Sequence, residues 1–422
     1  MKVGILMKRI LFVLMISLIL ILSGCSKSYD KASLFEAIKI EETSTKVKGS
    51  KYKNLSIDES YKNSILKFSF FTASKLLEEE NVMYSPISLY FALSELAELT
   101  SGSTRQELLD ALYVSDINVL RNGYENLYKK INYINDDSTL NIASSIWLNN
   151  SFKYKDEPLK VLANKYYSSS FGVNFNDSNT KKMIEDWVSD HTGGKLGNGD
   201  FKDLDPSTVF VLLNAIYFYD EWESKFDKDL NVQDIFFNVG KVTYMRNKLD
   251  SHYTKTNEYE AGELEFKNGM RIRFILPNES LSINDFIKDE DKLKHVLGNR
   301  YINTYKVNYK IPKFNYKSSL NLIEFAKTLG INEVFSNADF TSLTDEDLFV
   351  SKMFQKTFIE IDENGGRAAA YTGIEAPKSS APVDEIHFTL NRPFLYSIYS
   401  GEYPIFIGVV KDPNNHGTFN YS

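Results

Sequence analysis

Val209-Phe210-Val211-Leu212-Leu213-Asn214-Ala215-Ile216-Tyr217-Phe218-Tyr219 is the stretch on which the fold turns. It is apolar from end to end except at Asn214. A half-buried strand alternates apolar with polar residues, so an unbroken run of this kind belongs to a central strand buried on both faces. Asn214 is then an amide carried into the interior, where it must be hydrogen-bonded. It either staples neighbouring strands or lies at a functional seam.

Outward from this run toward the C-terminus, strand-like segments recur at 271–276, closed by Pro277, and at 305–311, closed by Pro312. Residues 349–362 read as extended, and further strands follow at 386–390, 394–399 and 404–410, the last two joined by Ser400-Gly401-Glu402. Toward the N-terminus the pattern turns helical. Ile65, Phe68, Ser69, Thr72 and Leu76 fall on one side of a helix within 61–80. Ser85 caps and Pro86 opens the next, 87–99, which is apolar nearly all round and should be buried. Gly102-Ser103-Thr104 starts a third. Residues 140–148 are β-like, while 158–169, 183–191 and 318–329 read as helices, the last stopped by Gly330. Helices first and strands later make an α+β domain with one large mixed or antiparallel sheet system. No repeat or linker follows residue 55, so 56–422 reads as one domain.

Bulk properties narrow the function. Of 422 residues, 43% are hydrophobic and 25% charged, a globular composition with ample material for a core. A net charge of −7 with no long run of Lys and Arg sets nucleic acid aside as a partner. His191, His252, His295, His387 and His416 are not at metal-ligand spacing, so neither a metal nor another cofactor is expected. There is no G-x-S-x-G elbow, P-loop or H-E-x-x-H, and the chain does not read as an enzyme.

Asp362-Glu363-Asn364-Gly365-Gly366-Arg367-Ala368-Ala369-Ala370-Tyr371-Thr372-Gly373-Ile374-Glu375-Ala376-Pro377 lies between two strand-like segments and reads as a loop. With period two it reads differently. Gly366, Ala368, Ala370, Thr372 and Ile374 fall on one face, small or apolar; Arg367, Ala369, Tyr371, Gly373 and Glu375 fall on the other. That pattern suits a segment able to become a half-buried strand in an existing sheet.

The N-terminus is an address. Lys2, Lys8 and Arg9 precede an apolar run over 10–22, shorter than the about 20 residues a spanning helix needs. Small residues follow at once, which makes a secretory signal over 1–24. Leu22-Ser23-Gly24-Cys25 is similar to the lipobox of bacterial lipoproteins, in which the cysteine is lipidated; here it is the single cysteine of the chain, so no intrachain disulfide can form. The expectation is an exported protein, lipid-anchored through Cys25 on the outer face of the bacterial cytoplasmic membrane or released extracellularly. Residues 25–55 read as a polar tether.

The ordered motifs identify a family. Phe388-Thr389-Leu390-Asn391-Arg392-Pro393-Phe394-Leu395-Tyr396-Ser397-Ile398 resembles the serpin signature at every constrained position, and Ile405-Phe406-Ile407-Gly408-Val409-Val410 resembles the family's closing strand. Asn81 with Ser85-Pro86-Ile87-Ser88, Trp187-Val188 with Thr192-Gly193-Gly194-Lys195-Leu196, Leu213-Asn214-Ala215-Ile216-Tyr217-Phe218 with Trp222 and Phe226, and Ile311-Pro312-Lys313-Phe314 complete the resemblance over residues 60–413. It implies three β-sheets, eight or nine helices and an exposed reactive-centre loop in a monomer. It also implies inhibition of a serine protease, or of a cysteine protease, trapped as an acyl-enzyme while the cut loop inserts into the central sheet. Glu363 and Lys313 would pair where the loop enters, with Trp222 beside them, and Ser85, Ser88, Asn214 and Gln355 would form the shutter beneath the parting strands. Glu363, Gly365, Gly366, Arg367, Ala368, Ala369 and Ala370 would be the hinge.

Departures from the family pattern are local. Gln355 stands in place of a histidine, Gly366 of Thr or Ser, Arg367 of an acidic residue, and Tyr219-Asp220 of Lys-Gly, which leaves the turn before Trp222 open. A glycine at 366 reads as sterically harmless. The family's spacing of sixteen residues from Glu363 reaches Ser379, giving a scissile bond at Ser379–Ser380; a loop one residue shorter gives Lys378–Ser379.

Overall fold

The computed structural model describes residues 27–38, 52, 54–77, 81–134, 138–197, 207–299, 303–366 and 385–416. Cys25, Arg367, Ala368, Ala369, Ala370, Lys378, Ser379 and Ser380 lie outside the described residues. Within them are nine helices: α1 (Glu59–Leu76), α2 (Pro86–Leu99), α3 (Gly102–Ala111), α4 (Ile117–Ile131), α5 (Asp156–Lys165), α6 (Ser178–His191), α7 (Ile283–Lys288), α8 (Glu290–Gly298) and α9 (Ile323–Thr328). The strands are β1 (Ser33–Phe35), β2 (Val82–Tyr84), β3 (Tyr133–Ile134), β4 (Thr139–Asn149), β5 (Ser168–Val173), β6 (Phe210–Glu221), β7 (Val232–Phe236), β8 (Gly240–Lys255) and β9 (Tyr259–Glu265). They continue with β10 (Arg271–Pro277), β11 (Thr304–Pro312), β12 (Phe314–Asn321), β13 (Lys352–Ile361), β14 (Gly365–Gly366), β15 (Ile386–Thr389), β16 (Phe394–Ser400) and β17 (Tyr403–Val410).

The apolar run is the body of β6, and it is buried on both faces as expected. Phe210, Leu212, Ile216 and Phe218 look into the main core, which they share with Tyr90, Phe91 and Leu93 of α2. Val211, Leu213 and Ala215 look the other way, into a cluster with Trp147, Trp187 and Val188, the last two from α6. Each large aliphatic side chain buried in this way contributes about 1.5–3 kcal/mol.

β6 lies inside a sheet of order β1-β5-β4-β6-β13-β12, with β14 on the end of β6 and β3 on β4. A second system runs β15-β11-β8-β9-β10-β16-β17-β2, with β7 beside β8. The three sheets expected are present, but two of them share a strand. β8 pairs with β11 and β7 along most of its length and with β9 at its end.

Some elements depart from the sequence reading. β7, β8 and β9 were not foreseen, because β8 carries Lys, Arg, Asn and Asp and is only partly covered along much of its length. The helix expected over 318–329 is mostly strand at its start. β12 keeps its ladder with β13 as far as Asn321 opposite Phe354, and only α9 is helical. Part of the expected tether is also packed: Ser33 and Phe35 pair antiparallel with Phe171 and Ser170 of β5. Tyr29, 6% exposed, sets its ring edge-on against Phe171 at 5.8 Å.

Candidate functional site

β6 and β13 lie side by side and parallel, but they are joined only along part of their length. The ladder starts with Lys352 on Val211 and stops with Thr357 on Ile216. Beyond that point β6 continues to Glu221 and β13 to Ile361 with no pairing between them among the described residues. At the open end the chain folds back. The backbones of Asp362 and Gly365 exchange hydrogen bonds of 3.2 and 3.3 Å, and Gly365 and Gly366 then pair antiparallel with Glu221 and Asp220 as β14. The loop has therefore taken its first step into the gap.

Glycine is demanded at 365 and favoured by a narrower margin at 366. Gly365 has φ +127°, and a Cβ there would lie 2.5 Å from the Asp220 carbonyl oxygen and 2.6 Å from the Trp222 nitrogen. A Cβ at Gly366 would meet the Phe218 ring at 3.1 Å. Glycine at 366 is thus more than harmless: the Thr or Ser usual in the family would press on Phe218.

Four side chains and the turn's own backbone fix the mouth of the gap. Lys313 Nζ donates to both carboxylate oxygens of Glu363 at 3.0 and 2.9 Å, and Asn231 Nδ2 donates to the same carboxylate. Burial opposes the charge on Glu363, which is 6% exposed, but the bonds from Lys313 and Asn231 outweigh it and hold its pKa below the ordinary value. Trp222, stacked on Phe266 at 4.6 Å, donates its indole N–H to the Asp362 carbonyl at 2.8 Å, and its backbone N–H to Asn364 at 2.9 Å. Lys313, Glu363 and Trp222 are thereby brought together as the resemblance implied. Asn231 was missed, since nothing local marks it. Asp220, left open from sequence, stays in strand conformation and is 1% exposed, accepting from the Glu221 and Asn268 backbones at 2.9 and 3.3 Å. Burial, helped by neighbouring Glu221, pushes its pKa up to about 7.

Below the gap the shutter residues meet, but not symmetrically. Gln355 on β13 grips Ser85 at both ends of its amide, accepting from the Ser85 N–H at 2.7 Å and donating to the Ser85 carbonyl at 2.9 Å. Thr357 donates to the Met83 carbonyl at 3.0 Å, and Ser318 on β12 accepts from the Met83 N–H at 3.0 Å. Ser85 Oγ caps α2 by accepting from the Ser88 N–H at 3.2 Å. β13 and β12 are therefore bolted to the start of α2. Asn214 on β6 sits opposite Gln355, 4% exposed, and among the described residues neither its Oδ1 nor its Nδ2 has a hydrogen-bond partner, nor has Ser88 Oγ. Asn214 is no staple in this state; it marks the seam.

The registers on either side of the gap agree. Every β13–β6 pair has an offset of 141 residues, as in Lys352 on Val211. At the mouth, Gly366 opposes Asp220 and, one step on from the Asp362–Gly365 bridge, Ile361, which is again an offset of 141. A strand continued from β14 down the gap needs no sliding of β6 past β13. A strand so continued would set position 368 between Phe218 and Ile359, 370 between Ile216 and Thr357, and 372 between Asn214 and Gln355, on the core-facing side of the sheet.

Comparison with known proteins agrees with this geometry. The pattern of the family described as "Serpin (serine protease inhibitor)" matches residues 62–413. An alpha-1-antiproteinase from Callosciurus caniceps is 33% identical over 354 residues, covering 79% of this chain and 83% of its own length. One from Ovis aries is 31% identical over 371 residues, covering 83% and 87%. Among solved structures, the thermophilic serpin tengpin in its native state is similar with a TM-score of 0.78 at 29% identity, covering 90% of this chain and 99% of tengpin.

Proposed function

The chain belongs to the serpin family, and from that premise we propose that it inhibits a serine protease, or a cysteine protease, by suicide cleavage. The protease cuts the loop at Ser379–Ser380, with Lys378–Ser379 as the neighbouring choice, and is held as an acyl-enzyme while the cut strand enters the gap between β6 and β13. The observation that carries this reading is the matched register at the mouth of the gap, with β14 already paired there. An inserted strand of about 14 residues at roughly 3.4 Å each moves its cleaved end some 45–50 Å. Ala368 and Ala370, small side chains on the core-facing side, suit passage between packed strands. Export and attachment through a lipid on Cys25 are part of the same proposal, and they would place inhibition at the outer face of a bacterial cytoplasmic membrane.

Incubation with trypsin, pancreatic elastase, subtilisin and papain, followed by denaturing gels and mass spectrometry, tests the mechanism. The expected result is an SDS-resistant band at the summed mass and a released peptide beginning at Ser380. Loop cleavage without such a band, and without a gain in thermal stability, points instead to a non-inhibitory serpin-fold binding protein. Ala368→Glu would put a charge between Phe218 and Ile359, so it should keep the fold and turn inhibitor into substrate, with the trapped fraction falling at least tenfold on the gel.

A further inference from the structure

The packed N-terminal segment bears on how the domain stands at a membrane, and the inference rests on the lipid attachment proposed above. We propose that a lipid on Cys25 holds the domain close against the bilayer with its β1 edge and α6 toward the headgroups, rather than on a long leash. Only Ser26 separates Cys25 from Lys27, and two residue steps reach about 7 Å.

From Lys27 onward the chain is fastened to the domain. Lys27 pairs with Asp190 of α6 at 3.1 Å, Ser28 donates to Asp186, and the Tyr29 hydroxyl donates to Asp190 at 2.7 Å. β1 then joins β5, the Ala37 N–H donates to Ser169 Oγ at 3.0 Å, and the Ile38 N–H donates to the Ala163 carbonyl at 3.1 Å. The exposed Lys27–Asp190 pair contributes little by itself, but buried Tyr29 and the strand pairing do not share that weakness.

The surface beside this attachment suits a bilayer. Leu34 and Ile38 are large apolar residues left 41% and 45% exposed. On α6, Asp186 is compensated by Lys182 at 2.8 Å and Asp190 by Lys27, which lessens repulsion from anionic headgroups on that side. The far edge of the sheet, β12, lies five strand spacings away, about 24 Å. The gap between β6 and β13 sits on the far side of β5 and β4 from the anchor, so the lipid does not pin the strands that must part.

The test uses the full acylated chain in vesicles of phosphatidylglycerol and phosphatidylethanolamine carrying a headgroup spin-label quencher. Single fluorophores are placed at Ser189→Cys on α6 and at Asn321→Cys on β12, each checked for unchanged thermal unfolding. The expected result is at least threefold stronger quenching at 189 than at 321, lost when twenty Gly/Ser residues, with a reach of about 25 Å, are inserted between Ser26 and Lys27. Equal quenching at both sites in the native-length chain overturns the stance while leaving lipid attachment intact. Absence of acylation by mass spectrometry overturns both.

Discussion

Asp220 shows how much of the site rests on single residues at the mouth of the gap. It is a carboxyl buried beside Glu221, opposite Gly366 in β14. An aspartate in an unfolded chain titrates near 3.9, whereas burial pushes Asp220 up to about 7. Between those values the native state binds more protons than the unfolded one, so this group favours folding most below pH 4 and progressively less as pH rises to 7. Glu363 acts in the opposite sense: held low by Lys313 and Asn231, it stabilises above its unfolded pKa and loses that contribution as pH falls through its folded value. Asp220→Asn should therefore remove about 2 kcal/mol from the difference in stability between pH 5 and pH 8, read from urea unfolding at the two pH values. An unchanged difference would mean that Asp220 is not protonated in the native state near neutrality. Gly365 is the second critical residue. Gly365→Ala, strained at φ +127° and 2.5 Å from the Asp220 carbonyl, should undo β14 and cost about 1–3 kcal/mol of stability with slower trapping. Trapping at the native rate would show that the early pairing is dispensable.

At the scale of elements, what matters is which side of the seam moves. Four hydrogen-bonding side chains, Gln355, Thr357, Ser318 and Tyr316, tie β13 and β12 to the segment that leads into α2, while Asn214 of β6 has no partner there among the described residues. When the sheet opens, β6 should leave with β4 and β5 while β13 stays. An unpartnered buried amide costs about 1–3 kcal/mol, a cost that Thr372 would offset on arriving between Asn214 and Gln355. Gln355→Leu removes both bonds to Ser85 and leaves its buried N–H without that acceptor, while its carbonyl keeps the Leu89 N–H at 3.0 Å. It should lower stability by about 1–3 kcal/mol and raise the fraction that becomes inert to protease on standing at 37 °C. Full retention of inhibitory activity after a day would rule out the bolt. Much of this was legible in the sequence. The apolar run of β6 and the Ser85-Pro86 start of α2 are local signals, and the ordered motifs supplied Lys313, Glu363, Trp222 and Gln355. What was not legible depends on distant partners. Two glycines have no side chain to announce β14, the polar sequence of β8 hides a long strand, and Ser318 reads as helical until β13 pairs with it. The three residues of β1 are too short to show a period, and only β5 makes them a strand.

Among the described residues the central sheet is joined only in part between β6 and β13, and the stability of the domain should register that. Between Ile361 and Glu221 at one end and the pair Thr357–Ile216 lower down, facing strand edges are left unjoined in the described residues. Filling the gap exchanges one parallel ladder for two antiparallel ones and adds ladder bonds to the inserted strand, each worth on the order of 1 kcal/mol net. About a dozen inserted residues give a gain on the order of 10 kcal/mol. Unfolding entropy near 2.1 cal/mol/K per residue amounts to about 0.75 kcal/mol/K for a domain of about 360 residues. Cleavage within the loop should then raise Tm by about 10–15 °C, measured by scanning calorimetry on the intact and the nicked protein under identical conditions. Ala368→Glu, nicked at the same bond, should show little of that rise, because the charge stalls the strand between Phe218 and Ile359. A nicked native chain with an unchanged Tm would mean that the gap does not accept its own loop, and the matched registers of β6, β13 and β14 would then be structure without the motion they suit.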